Sequence, residues 1–328
     1  MTGGMADSQR SAARTGIALR DPWSWRDLAE LVATAEETGF AALFLPEITG
    51  REAFSTLSAV AGETASLELG TGIVTIVARR PLTTAMAAAT VDERSQGRMV
   101  LGLGTGPAGP GSLERLRDYV GKVRALLDGR EAKAESGRPM RLSMPPPPDR
   151  RIPIWIAALG PRCMRLAGEL ADGVLLNWCP PERVAFARDR VREGAEAAGR
   201  DPEAVTVAVY VRACVGQDEE EAMSALRRAA AGYASIPPYL RQFEAVGLGA
   251  EARASAAAHA EDRPQDVPES LVRAVALVGS ESEAKARLDV YRRAGAELPI
   301  VYPVPCLDPR SSVLGTLFAT APHPALTS

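Results

Sequence analysis

Gly97-Arg98-Met99-Val100-Leu101-Gly102-Leu103-Gly104-Thr105-Gly106 is an apolar run that ends in closely spaced glycines. It reads as a short buried strand entering a turn. Gly102, Gly104 and Gly106 remove side chains where a backbone takes φ > 0 or approaches something closely. Such a turn exposes N–H groups that can cradle an anionic cofactor tail. The full dinucleotide fingerprint is missing, so the meaning of this turn depends on what surrounds it.

What surrounds it is a repeated alternation of apolar and amphipathic segments. Strands are predicted at 15–19, 41–45, 67–76, 98–103, 152–157, 173–177, 205–215 and 298–304. Helices are predicted at 24–38, 53–64, 82–95, 112–127, 161–170, 181–198, 218–232, 281–294 and 308–318. In the first helix Leu28, Leu31, Val32 and Ala35 recur at helical spacing, and Gly39 stands where a helix ends. Ser112 is read as the cap of the fourth helix. Residues 137–151, with Pro145-Pro146-Pro147-Pro148, read as a lid loop or a stiff connector. Residues 235–270 read as an irregular or helical excursion that interrupts the alternation. Eight strands alternating with helices fit a TIM (β/α)8 barrel. A doubly wound open sheet is the other architecture with this pattern. The expected organisation is a tail at 1–14, one barrel domain at 15–320 and a tail at 321–328.

Composition narrows the function. The 328 residues are 46% hydrophobic and 24% charged, with a net charge of −3. That balance describes a globular protein and disfavours nucleic acid and membrane as principal partners. No apolar run is long enough to span a bilayer. Residues 1–14 lack the apolar core of a secretory signal, and a cytoplasmic location is expected. Cys163, Cys179, Cys214 and Cys306 show no metal-ligand spacing, so no metal is expected. His259 and His323 are the only histidines and neither sits in a hydrolase motif. Lys122, Lys133 and Lys285 fall on helices or a loop, which disfavours Schiff-base chemistry. The bias towards Arg and Ala suggests a high-GC, actinobacterial-type genome.

Three segments together resemble the bacterial luciferase-like family of flavin and deazaflavin oxidoreductases. The first is Thr71-Gly72-Ile73-Val74-Thr75 followed by a helix and Gly97 to Gly106. The second is Pro153-Ile154-Trp155-Ile156-Ala157-Ala158 with Gly160-Pro161-Arg162 and then Ala171-Asp172-Gly173-Val174-Leu175. The third is Val278-Gly279-Ser280 leading into Glu283 and Gly295. The resemblance implies a barrel with its cofactor at the C-terminal ends of the strands and insertion segments on that face.

It also implies roles for individual residues. Glu47, ending the second strand, matches an acid that touches the cofactor ring or substrate. The family often has His directly after it, whereas this chain has Ile48, which puts a histidine base in doubt. Gly72-Ile73 matches a non-prolyl cis peptide that backs the ring, and the Thr75 hydroxyl would point the same way. Gly104, Thr105 and Gly106 would contact the cofactor. Ala157, Ala158, Gly160 and Arg162 end the fifth strand and open a helix. A helix N-terminus beside an arginine is, on physical grounds alone, a phosphate site. Asn177 would complete it from the sixth strand. Trp23 and Trp25 would wall the substrate pocket or pin the first helix. Arg79 and Arg80 would meet an acidic cofactor tail or solvent.

The resulting expectation is hydride transfer between coenzyme F420 and a small organic substrate, with Glu47 handling a proton and loops near Pro145 and 235–270 forming the substrate wall. An FMN-dependent monooxygenase supplied by a separate flavin reductase is the alternative, and a cofactor-binding homologue without turnover is a third. A homodimer through helical faces is implied by the resemblance.

Overall fold

Eight of the apolar runs form parallel strands that close on themselves. The computed structural model describes residues 14–20, 23–107 and 109–323. Its strands are β1 (Gly16–Ala18), β2 (Ala42–Leu45), β3 (Glu68–Thr71), β4 (Val74–Thr75), β5 (Met99–Gly104), β6 (Ala132–Lys133), β7 (Pro139–Met140), β8 (Ile154–Ala157), β9 (Gly173–Asn177), β10 (Thr206–Val215), β11 (Ala276–Gly279) and β12 (Leu298–Pro303). The order β12-β1-β2-β3-β5-β8-β9-β10 returns to β12, every pairing parallel, so the sheet is a TIM barrel.

Helices α1 (Trp25–Glu37), α2 (Ala53–Val60), α3 (Pro81–Arg94), α4 (Ser112–Leu127), α5 (Pro161–Leu170), α6 (Pro181–Ala197), α7 (Glu219–Ala234), α8 (Pro237–Glu244), α9 (Gly249–Ala260), α10 (Glu269–Val275), α11 (Glu281–Arg293) and α12 (Pro309–Thr320) surround it. Their ends follow local chemistry. Ser24 Oγ accepts from Asp27 N–H at 3.1 Å to start α1, and Gly39, at φ +83°, ends its turn. Ser280 and Glu283 form a reciprocal capping box on α11.

The apolar residues sort into three cores. The largest lies between strands and helices and includes Leu31, Leu57, Leu101 and Val209. A second fills the barrel bore with Phe44, Trp155, Tyr210 and Tyr302, where the Phe44 and Trp155 rings stack at 5.2 Å. A third, with Phe243, Leu226 and Val272, lies among α7, α8 and α10.

Several expectations are corrected. The third strand is split into β3 and β4 by the Gly72–Ile73 peptide, which is cis. β11, pairing with the outer half of β10, was not predicted, because four residues directly after a helix give too little pattern. Gly111, at φ +71°, rather than Ser112, caps α4. The excursion 235–270 holds α8, α9 and the start of α10. The proline-rich connector borders a separate hollow of about 390 Å³, lined by Arg141 and Met144 among others, and leaves the main cavity alone. Of the expected tails, residues 1–13 and 324–328 lie outside the described residues, while Ala321 is buried and the His323 N–H donates to Thr38 O. Among the described residues no helix is long and apolar enough to cross a membrane.

Asp172, just before β9, ties the outer layer to the sheet. Its carboxylate accepts from the Ile154 N–H at 2.8 Å and from Arg151 at 2.7 Å, and it pairs with Arg124 of α4. Asp172→Asn should therefore lower stability by about 1.5–3 kcal/mol, the range for hydrogen bonds to charged groups. Urea unfolding checks this, with the mouth of the barrel unaffected.

Candidate active site

The C-terminal ends of the strands open into a cavity of about 1060 Å³. Gly72, Ile73, Gly104, Thr105, Gly106, Ala157, Ala158, Gly160 and Asn177 line it, so these sequence-derived candidates converge on one space. Thr75, Arg162, Glu47, Trp23 and Trp25 are not among its lining residues.

The cis peptide gives the cavity its inner wall. Tyr210 Oη, reaching through the barrel bore from β10, donates to Gly72 O at 3.0 Å. Burial pushes the Tyr210 hydroxyl well above its usual range, so it keeps the donated proton. Ile73 lies against the strand-five turn, and a Cβ on Gly104 would stand 2.6 Å from Ile73 Cδ1. Gly106 takes φ +67°, where a side chain is strained. The turn is therefore glycine-rich because Ile73 occupies the space beside it.

The opposite wall carries charge. Ser112 and Leu113 of α4, Pro161 of α5, Glu182 and Arg183 of α6 and Pro238 of α8 all line the cavity. Each is in the first turn of its helix, and none of the four N-caps makes a side-chain capping bond. Four helix N-termini thus present partial positive charge to one space. Arg183 adds a full charge. It is 6% exposed, donates from Nη2 to Leu159 O at 2.9 Å and lies 4.4 Å over the Phe186 ring. Its buried Nε has no hydrogen-bond partner. Burial lowers its pKa.

Arg183 is the functional candidate that the sequence reading missed. Its signal was present in Pro180-Pro181-Glu182-Arg183, a helix start placed directly after the sixth strand. Arg162, chosen instead, is exposed on the first turn of α5.

Neutral polar groups complete the lining. Asn177 Nδ2 donates to Tyr239 Oη at 2.8 Å, leaving Asn177 Oδ1 buried and unpaired. Gln242 Nε2 donates to Asn177 O and Trp178 O at 2.9 and 2.8 Å, leaving Gln242 Oε1 likewise unpaired. Buried unpaired acceptors at a cavity are what a ligand with N–H or O–H donors would satisfy. Burial raises Tyr239 and Cys163 to about 12, so both hold their protons near neutrality.

Glu47 is engaged elsewhere. Its carboxylate pairs bidentately with Arg79, one contact being 2.8 Å, and accepts from the Ala53 N–H at 3.0 Å. Arg79 also pairs with Glu52, the N-cap of α2, and the hydrogen bond it donates to Glu47 raises the Arg79 pKa. Arg79 is thus spent on holding the β2–α2 connection. Trp23 O accepts from Arg51 at 2.7 Å, and Trp25 is 40% exposed beneath the same guanidinium.

Removing the Tyr210 hydroxyl leaves Gly72 O without that donor inside the barrel. Tyr210→Phe should cost about 1–3 kcal/mol, the range for an unsatisfied buried acceptor. A thermal melt measures the loss, and a ligand that uses the Ile73 wall should bind the variant more weakly.

A family model for luciferase-like monooxygenase matches residues 1–298. The chain is 28% identical to a 5,10-methylenetetrahydromethanopterin reductase of Methanolobus tindarius, across 80% of this chain and 85% of that protein. It is 26% identical to a protein of Mycobacterium tuberculosis named as a coenzyme F420-dependent oxidoreductase, across 83% and 89%. In structure it resembles the coenzyme F420 dependent tetrahydromethanopterin reductase from Methanopyrus kandleri, with a TM-score of 0.77, 22% identity and coverage of 94% and 98%. A barrel whose strand ends, cis peptide and glycine turn converge on one cavity, and whose sequence is matched over most of its length, belongs to the luciferase-like monooxygenase family.

Proposed function

We propose that this protein is a coenzyme F420-dependent oxidoreductase acting on a small organic substrate. The carrying observation is the division of the cavity into an apolar wall at Ile73, Gly104 and Ala157 and a positive end at Arg183 and four helix N-termini. A flat ring system with a long anionic tail matches both ends. The names of the Methanopyrus and Mycobacterium relatives support the same cofactor.

The deazaflavin supplies a ring carbon that gives or takes hydride and reacts poorly with oxygen. The chain's task is positioning. Ile73 backs the ring, and the Tyr210 hydroxyl holds the Gly72 carbonyl that orients it. Asn177 Oδ1 and Gln242 Oε1 accept hydrogen bonds from the ring or its side chain. Arg183 and the helix N-termini take the phosphate and carboxylates of the tail. Tyr239 offers its proton as a hydrogen bond and retains it. Glu47 acts as the anchor of the β2–α2 loop in this reading, outside the proton path. The same proposal places a homodimeric enzyme in the cytoplasm, where Cys163, Cys179, Cys214 and Cys306 stay free thiols.

Parallel fluorescence titrations with F420 and FMN at one ionic strength test the cofactor. F420 should bind at least tenfold tighter. Tighter FMN binding would replace the reading with a monooxygenase that draws reduced flavin from a partner reductase. Arg183→Gln should weaken F420 at least tenfold, since a charge-assisted contact is worth about 1.5–3 kcal/mol. Glu47→Gln should keep kcat within a few-fold while lowering the melting temperature. A thousandfold loss of kcat in a folded Glu47→Gln enzyme would return the carboxylate to the chemistry.

A further inference from the structure

Arg212 lies inside the barrel, two residues beyond Tyr210 on the same face of β10. It is 4% exposed, and its Nη1 is buried with no hydrogen-bond partner. Among the described residues its guanidinium makes no ion pair. Aromatic rings enclose it instead: Tyr302 at 3.8 Å, Trp178 at 4.9 Å, Tyr233 at 5.4 Å and Tyr210 at 5.8 Å. Ring faces offset part of the cost of burying a cation, but they supply no acceptor for its N–H groups.

The Tyr302 hydroxyl feels the positive charges of Arg212 and of Arg20, which follows β1. The positive charge of Arg212 also acts on the Tyr210 and Tyr239 hydroxyls. Two of the enclosing rings connect with the cavity. Tyr210 lines it directly, and Tyr233 packs edge-on against the lining residue Tyr239 at 4.9 Å.

The backbone is built around this enclosure. Trp178 is buried at φ +53°, a conformation that costs a non-glycine residue free energy. Gln242 holds it there through the Trp178 carbonyl, and the buried Trp178 Nε1 has no partner. The strain falls where β10 leaves β9 at Tyr210–Asn177 and joins β11 at Arg212–Ala276.

We propose that Arg212 binds a carboxylate of the substrate, so that the substrates of this enzyme are organic acids or acyl conjugates bearing a planar monoanion. A carboxylate matches the bidentate fork of a guanidinium. It would enter from the cavity past Tyr239 and supply the counter-charge that the protein omits. The inference rests on the oxidoreductase reading for the word substrate, and the site itself is tested without turnover.

Benzoate and its neutral isostere benzamide serve as probes, with inorganic phosphate as a tetrahedral control. Saturation-transfer NMR and calorimetry are run on the full chain, with and without F420. Benzoate should bind saturably and at least tenfold tighter than benzamide, and phosphate held at the Arg183 end should not displace it. Arg212→Gln should weaken benzoate at least tenfold, with F420 affinity unchanged within twofold, and Arg212→Lys should restore part of the loss. Equal binding of benzoate and benzamide by the unaltered protein would overturn the proposal even if both variants misfold. Benzoate binding unchanged in a folded Arg212→Gln protein would overturn it too, leaving Arg212 as packing. Phosphate that displaces benzoate and loses its binding in Arg212→Gln would reject the carboxylate assignment. Arg212-dependent benzoate binding in a protein that binds no F420 would sink the cofactor reading and keep the anion site. F420 binding without benzoate selectivity would do the reverse.

Discussion

The mouth of this barrel is registered to one strand whose partner changes midway. β10 bonds to β9 from Thr206 to Tyr210 and to β11 from Arg212 to Val215, while β12 holds its other edge from Ala208 to Ala213. Parallel ladders tolerate such a handover only if the departing strand finds other partners for its backbone. β9 finds them in the Gln242 amide, which donates to the carbonyls of Asn177 and Trp178. The gap opened by the handover is filled by side chains of β10 itself. Tyr210 crosses to the Gly72 carbonyl, and Arg212 takes the space behind the cavity. The cis peptide, the Asn177 side chain and α8 are therefore placed by hydrogen bonds that lead back to this strand.

How much of this was legible depends on the range of the interaction. The barrel was readable because apolar alternation is local and repeats, and helix starts were written in the caps Ser24 and Ser280 and the first-turn prolines Pro81 and Pro161. The glycine turn was readable because Gly104 and Gly106 have little other use there. The electrostatics were less so. Glu47 and Arg162 stand at strand and helix ends, where carboxylates and arginines often serve ligands. Yet Glu47 is taken by Arg79, which lies 32 positions further along the chain, and Arg162 turns outward. Neither outcome has a local signature. Arg183 and Arg212 were passed over because an arginine within a helix or strand usually means a solvated face. Only the packing of Phe186 over one and Tyr302 over the other shows that both are dry.

Those two arginines share a design that differs from the rest of the charged residues. Most cations near the barrel ends have found carboxylates: Arg79 with Glu47 and Glu52, Arg124 with Asp172, Arg188 with Glu297. Such pairs fix loops and leave no field for a ligand. A guanidinium against an aromatic face is different, because the ring quadrupole is attractive but accepts no conventional hydrogen bond from the fork. Desolvation is partly offset and the donors stay unspent. Placing Arg183 on Phe186 in the cavity lining and Arg212 among aromatic rings behind Tyr210 keeps two buried cations available. A carboxylate paired with either would occupy the donors that a ligand needs. That choice of ring over acid leaves an unpaired donor on Arg183, which lines the cavity, and on Arg212, which lies behind the lining residue Tyr210.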